Sequence, residues 1–221
     1  MRKLMGKKSF LVFTALALTL VFALPVMAAP TAPNAPKANY ELKSMTVVRN
    51  DLGSRSFKAY VTKAKVLFTE NFKGVKKRLP VRWTTTHPDH WYVVKDSHTA
   101  GGAAPEMRFT CGYPFMGTAR LISPNIDARE YDELELTFDH YVADWVVGNY
   151  TLKVQLSTNN GATWQNTDWA IINPAKDIGP EKVSVDLSKF AGKKIKIAWV
   201  FEGGSKGINW WYIDNIQVKG K

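Results

Sequence analysis

Cysteine is almost missing: Cys111 is the one thiol in 221 residues. A single cysteine closes no internal disulfide, so this chain cannot be a cross-linked mini-scaffold. Its stability has to come from a packed core, and the residues beyond position 28 are enough for one. Cys111 itself reads as a small buried hydrophobe. Long apolar runs are missing beyond residue 28, which excludes a later helical membrane anchor. Convincing amphipathic helices of three turns are missing too. No His-x-x-x-His or His-Glu-x-x-His pair occurs, which excludes a helical zinc-hydrolase site. No nucleic-acid-binding motif occurs either.

Acidic residues are scarce in one region only. Residues 37–82 hold 12 Lys/Arg against 3 Asp/Glu, whereas 83–221 hold 14 against 16. Such an asymmetry points the N-terminal part toward something anionic, a wall polymer or membrane surface, or else marks a solvated basic face.

What is present begins with Arg2, Lys3, Lys7 and Lys8, then the apolar run Phe10–Leu24 and the small residues of Val26-Met27-Ala28. This order predicts a secretory signal peptide over 1–28, and hence a secreted, extracellular or surface-associated product. Removing it leaves 26 basic and 19 acidic residues, a net +7. Residues 29–39 (A-P-T-A-P-N-A-P-K-A-N) are a Pro/Ala spacer. Residues 40–65 form a basic extension, with short strands expected at Ser44–Val48 and Phe57–Val61 around the turn-like Asp51-Leu52-Gly53.

From Val66 the pattern has period two. Leu134, Leu136, Phe138, His140 and Val142 alternate with Glu135, Thr137, Asp139 and Tyr141. Leu152, Val154 and Leu156, then Val183, Val185 and Leu187, then Ile195, Ile197, Trp199 and Phe201 behave alike. Strands with one dry and one wet face are those of antiparallel sheets packed in two layers. Turn residues separate them: Asn159-Asn160-Gly161, Asn173-Pro174, Gly179-Pro180 and the glycines at 203, 204 and 207. The densest strand signal, Ile208–Val218, ends the pattern. The reading is an all-β, antiparallel two-sheet β-sandwich over 66–219.

Six segments then carry a resemblance. Glu70-Asn71-Phe72 with Leu79-Pro80-Val81-Arg82-Trp83, Leu121–Asp127, Leu134–His140, Leu156–Trp164, Asp186–Lys194 and Trp211–Ile216 follow one another in the order found in bacterial MAM-like jelly-roll modules. The chain resembles the cleaved-adhesin and choice-of-anchor J type of these secreted modules. The resemblance implies a concanavalin/MAM-like jelly roll that binds glycan or protein without catalysis. It also implies a structural Ca²⁺ where first and last strands meet, with Glu70, the Asn71 side chain and Asp214 as oxygen ligands. The alternative is that Glu70 and Asp214 only accept hydrogen bonds at strand ends. The chain departs from the pattern at Asn160, and at Lys73, where an acid is common.

Other candidates are weaker. His87-Pro88-Asp89-His90, with His98, is the densest group of transition-metal ligand types, but Pro88 makes it a solvated loop. Gly203-Gly204-Ser205-Lys206-Gly207 matches a nucleophile elbow, yet a strand follows it where a helix is required. Glu135 and Asp139 share a strand face but their Cα atoms would lie about 13–14 Å apart, too far for a glycosidase pair. Trp83, Trp91, Trp164, Trp199 and Trp211 fall at core or family positions. Trp145, Trp169 and Trp210 do not, and Trp145 and Trp169 are expected in or near loops at an end of the sandwich. With Tyr141 and the polar face of Asp139, Lys153 and Gln155, they are the candidate ligand groove, since indole faces stack on sugars and anchor interfaces. The expected function is a secreted non-catalytic module recognising glycan or surface protein. The alternatives are a subunit docking on a secreted peptidase or, third, a carbohydrate-active hydrolase.

Overall fold

The computed structural model describes residues 40–47, 55–145 and 149–221, with backbone alone for 40–47 and 55–62. The expected signal peptide, the spacer and the turn at 51–53 lie outside the described residues. β1 (Tyr40–Val47) and β2 (Arg55–Thr62) pair antiparallel as a two-stranded sheet of their own.

Among the described residues twelve further strands follow. They are β3 (Lys65–Glu70), β4 (Thr84–Thr85), β5 (Trp91–Val94), β6 (Glu106–Thr110), β7 (Met116–Ile122) and β8 (Ile126–Asp127). After them come β9 (Leu134–Asp144), β10 (Tyr150–Ser157), β11 (Gln165–Ile172), β12 (Ile178–Asp186), β13 (Lys194–Gly204) and β14 (Ile208–Gly220). They form two antiparallel sheets. One runs β11-β10-β13-β7-β4, with β8 also on β13; the other runs β12-β9-β14-β6-β5, with β3 also on β14. The molecule is a two-sheet β-sandwich. Among the described residues no helix is long and apolar enough to cross a membrane.

Alternation in the sequence becomes the two faces of each sheet. On β9, Leu136, Phe138, His140 and Val142 are buried between the sheets. From the opposing sheet come Leu152, Val154, Leu156, Ile195, Ile197, Trp199 and Phe201, all fully buried. Aromatic pairs bridge the layers: Phe109 stacks on Phe201 at 4.6 Å, and Phe138 lies 5.8 Å from Trp199. Each fully buried Phe, Leu or Ile contributes roughly 1.5–3 kcal/mol, so a core of this extent stabilises the fold without a disulfide. Cys111 is half-buried, its Sγ 3.8 Å from Ser205 Oγ.

β14 holds the second sheet together. One edge pairs with β9 along its length; the other pairs first with β6, as Ile213 opposite Met107, then with β3, as Ile216 opposite Glu70. The register shifts between Asp214 and Gln217, and Asn215 turns to φ +50° there. A short polar side chain is among the few that tolerate this left-handed conformation. The irregularity places Asp214 in a notch between the end of β3 and the start of β6.

Candidate functional site

The outer face of the β12-β9-β14-β6-β5 sheet collects side chains that strand register alone would align. Tyr92 on β5 pairs with Arg108 on β6, Arg108 with Tyr212 on β14, and Tyr212 with Tyr141 on β9. Trp210, two residues before Tyr212 on the same face, is 39% exposed and lies 6.2 Å from the Tyr212 ring. The Arg108 guanidinium carbon sits 4.7 Å from the Tyr92 ring centre, 5.8 Å from Trp210 and 5.9 Å from Tyr212. Its Nη2 donates to the Tyr92 hydroxyl. Cation–π contact of this kind clamps a flexible side chain flat among the rings. At the far end the Tyr141 hydroxyl donates to Asp177 at 2.6 Å, which raises the Tyr141 pKa. The result is a row of four aromatic rings around one arginine, built on rigid strands.

Of the expected groove residues, Trp210 and Tyr141 lie on this face. Trp145 follows β9 at one end of it, 68% exposed, its backbone N–H donating to Gly207 O. Asp139 shares the face but is buried, held by Lys182 at 2.7 Å and by the Asn215 side-chain N–H at 2.7 Å. Two expectations need correction. Trp169 is not in a loop. It sits mid-strand on β11 with its indole between the sheets, 5.3 Å from Phe138 and 5.5 Å from His140. Lys153 and Gln155 belong to β10 in the other sheet, where they meet Glu202 and Arg120. Tyr92, Arg108 and Tyr212 were missed. The signal for them was their place beside the core residues Trp91, Met107, Phe109 and Trp211, which fixes them as outward neighbours.

Beside the aromatic row runs a second one, of acids. Register sets Asp214 opposite Asp139 on β9, while Glu106 begins β6 on the other side. The loop at 97–102 covers it. Glu106 is fully buried and accepts from the Ser97 hydroxyl and from the Thr99 and Ala100 N–H groups, both at 2.8 Å. Gly102 packs so closely that an added Cβ would fall on Asp214 Oδ2 and within 2.6 Å of Asn215 Nδ2. Asp214 is 1% exposed, and neither carboxylate oxygen has a hydrogen bond of good geometry. Burial raises its pKa to about 6; Glu106 and Asp139 push the same way, while the Asn215 N–H and Lys73 oppose.

A hard cation is what an orphaned, desolvated carboxylate asks for. Asp214 therefore fits the Ca²⁺ that the family resemblance implies. Glu70 and Asn71 fit less completely: Glu70 Oε1 accepts from Phe72 N–H at 2.7 Å, and Asn71 Oδ1 from Lys73 N–H at 3.2 Å. Among the described residues no group of three or more His, Cys, Asp or Glu converges as a metal cage, so backbone carbonyls would have to supply the remainder.

The remaining candidates take structural places. His87 and His90 lie in a turn, as expected, with Pro88 and Asp89 exposed, but their rings are not solvated: His87 stacks on Phe115 at 4.6 Å, and His90 is buried with Nδ1 2.8 Å from Thr110 O. Burial and the neighbouring His90 lower the His87 pKa. Ser205 is buried in a one-turn 3₁₀ helix between β13 and β14, where its Oγ accepts from Phe115 N–H at 3.0 Å. Glu135 accepts from the Ser184 hydroxyl at 2.7 Å.

No protein-family model matches the sequence, and no curated protein matches it. Solved structures do. The K3 cleaved adhesin domain of Lys-gingipain from Porphyromonas gingivalis W83 superposes with a TM-score of 0.53 at 16% identity, over 71% of this chain and 100% of that one. The K1 cleaved adhesin domain of the same protein gives 0.52 at 18% identity, over 72% and 99%. The chain is folded like a cleaved-adhesin domain. A carbohydrate-binding module solved with β-1,4-galactotriose overlaps less, with a TM-score of 0.45 at 16% identity, over 64% of this chain and 90% of that one. At these identities the likeness to the cleaved-adhesin domains concerns the fold.

Proposed function

We propose that the protein is a secreted, non-catalytic binding module that recognises glycan on the outer face of the β12-β9-β14-β6-β5 sheet. The observation that carries this reading is the row Tyr92–Arg108–Tyr212–Tyr141 with Trp210 beside it. Flat rings on a rigid sheet present apolar area to a sugar face, while Asp177 and the tyrosine hydroxyls offer hydrogen bonds at the edge. Strands hold these groups before the ligand arrives, so little ordering entropy is lost on binding. Ca²⁺ at Asp214, with Glu70, Asn71 and backbone carbonyls, would brace the notch beside the platform. It would neutralise a charge the fold otherwise holds unpaired; it takes no part in contacting the glycan. The basic stretch at 37–82 would keep the module near an anionic surface. A glycan array with the wild-type protein and with Trp210→Ala and Tyr92→Ala tests the reading. Binding that both variants lose supports it; no glycan bound by the wild type rejects it.

A second reading rests on the end of the sandwich where Trp145, Tyr113 and Met116 are 68%, 84% and 77% exposed. Exposed apolar groups of this size suit docking on a partner protein, such as a secreted peptidase. Recovery of the same partner from culture supernatant by wild type, and not by Trp145→Ala, would favour it.

A further inference from the structure

The platform carries its arginines at one end, and among the described residues they have no ion-pair partner there. Arg108 is half-buried; its Nε is enclosed without a hydrogen bond. Arg78, exposed, stands 4.9 Å from the same Tyr92 ring that Arg108 approaches at 4.7 Å. The one hydrogen bond of its side chain among the described residues goes to a backbone carbonyl, Asp89 O at 3.4 Å. The ion pairs among the described residues involve Arg129, His140, Lys153, Lys182, Lys189 and Lys221; neither arginine is among them. Lys73, Lys76 and Lys77 flank Arg78, also without an ion pair.

Surface arginines normally find a carboxylate when one is near, because a planar fork binds it with two parallel bonds. Here two guanidinium groups share one ring, neither is ion-paired among the described residues, and Glu106 and Asp214 of the neighbouring acidic row are buried. The acid of the groove, Asp177, is at the other end, engaged with Tyr141 and the Asp144 N–H. A ligand placed along the row meets fixed positive charge, then aromatic faces, then an acceptor suited to hydroxyls.

We propose that the platform selects an anionic glycan, one whose sugar carries a carboxylate or a sulfate, with that group bridging Arg78 and Arg108 and the ring lying over Trp210 and Tyr212. This rests on the outer-face glycan reading above and narrows it. Charge complementarity of this kind sets orientation and rejects neutral competitors.

The test compares matched polymers with the full chain at 0.15 M salt: polygalacturonate against its methyl ester, and dextran sulfate against dextran. Each pair differs chiefly in charge, and the two arms separate carboxylate from sulfate. One anionic polymer should bind at least about tenfold more tightly than its neutral partner. Arg78→Gln and Arg108→Gln should each remove most of that preference, while a Lys73/Lys76/Lys77→Gln triple variant keeps it. Arg78 is exposed, so its variant carries the test even if Arg108→Gln folds poorly; thermal unfolding shows which is the case. Equal binding within both pairs overturns the proposal and leaves glycan recognition standing. A preference lost only in the lysine variant overturns it as diffuse attraction. No binding to these polymers or to any arrayed glycan overturns both.

Discussion

Replacing Asp214 with Asn tests the notch beside the platform most directly. The side chain ionises near 3.8 in an unfolded chain and at about 6 in the fold. Each pH unit between these corresponds to ~1.4 kcal/mol, so holding the ionised carboxylate costs the metal-free fold about 3 kcal/mol at neutral pH. The sign follows from which state gives up its proton first. Below pH 3.8 both states hold the proton and the cost is absent. As pH rises through about 6, the unfolded chain has already ionised and the folded one resists, so stability is lost. Asn carries no charge at any pH and whatever its amide costs is constant. Urea unfolding in EDTA, followed by tryptophan fluorescence from pH 4 to 7, should therefore show D214N gaining on the wild type by about 2.5 kcal/mol across that range. A pH-independent difference would refute the reasoning. Added Ca²⁺ should then raise the wild-type midpoint and leave D214N unmoved; equal gains in both would remove Asp214 as a ligand.

Three further outcomes are expected. Gly102→Ala drives a methyl onto the Asp214 carboxylate, and should lower stability by about 1–3 kcal/mol and blunt the Ca²⁺ response; an unchanged melting curve would show that the loop yields. His140 is buried with Nδ1 unpartnered, and burial lowers its pKa below 6.5 despite the Glu181 carboxylate 3.0 Å from Nε2. The unfolded chain takes the proton first, so the wild type should lose stability relative to His140→Gln as pH falls below about 6.5. Trp169→Ala opens the space between the sheets and should cost about 3–5 kcal/mol, whereas Trp210→Ala should cost far less while removing binding. Comparable thermal shifts in the two would contradict their placement on opposite faces.

The sandwich itself was readable because period two survives in every long strand, from Leu134 to Phe201, and because turn residues mark where each strand ends. Glu70 and Asp214 draw attention because they occupy motif positions on the first and last strands of the sandwich, and β3 does pair with β14 there. What one strand cannot reveal is which sheet it joins. Lys153 and Tyr141 both sit on wet faces, and only pairing puts β10 and β9 in different layers. Trp169 misled for a related reason. Its strand, Q-N-T-D-W-A-I-I, is an edge with one inward stripe of Thr167, Trp169 and Ile171, so it looks polar enough to be a loop. Arg108 stayed hidden because a lone arginine between Met107 and Phe109 looks like an ordinary solvated residue until Tyr92, Trp210 and Tyr212 arrive from other strands. Glu106 is a similar case: its burial depends on donors from a loop that crosses above it.

The place of β14 also bears on how the molecule assembles. Ile216 pairs with Glu70 across 146 positions of sequence, and contacts this distant slow folding toward milliseconds to seconds. Before β14 arrives, β9, β6 and β3 each present an open row of amide and carbonyl groups on the side it will occupy. Open strand edges accept any extended chain. The half-assembled sandwich is thus a template on which the β14 segment of a second molecule can dock, and the interval before its own strand inserts is when the protein is most exposed to domain swapping and aggregation.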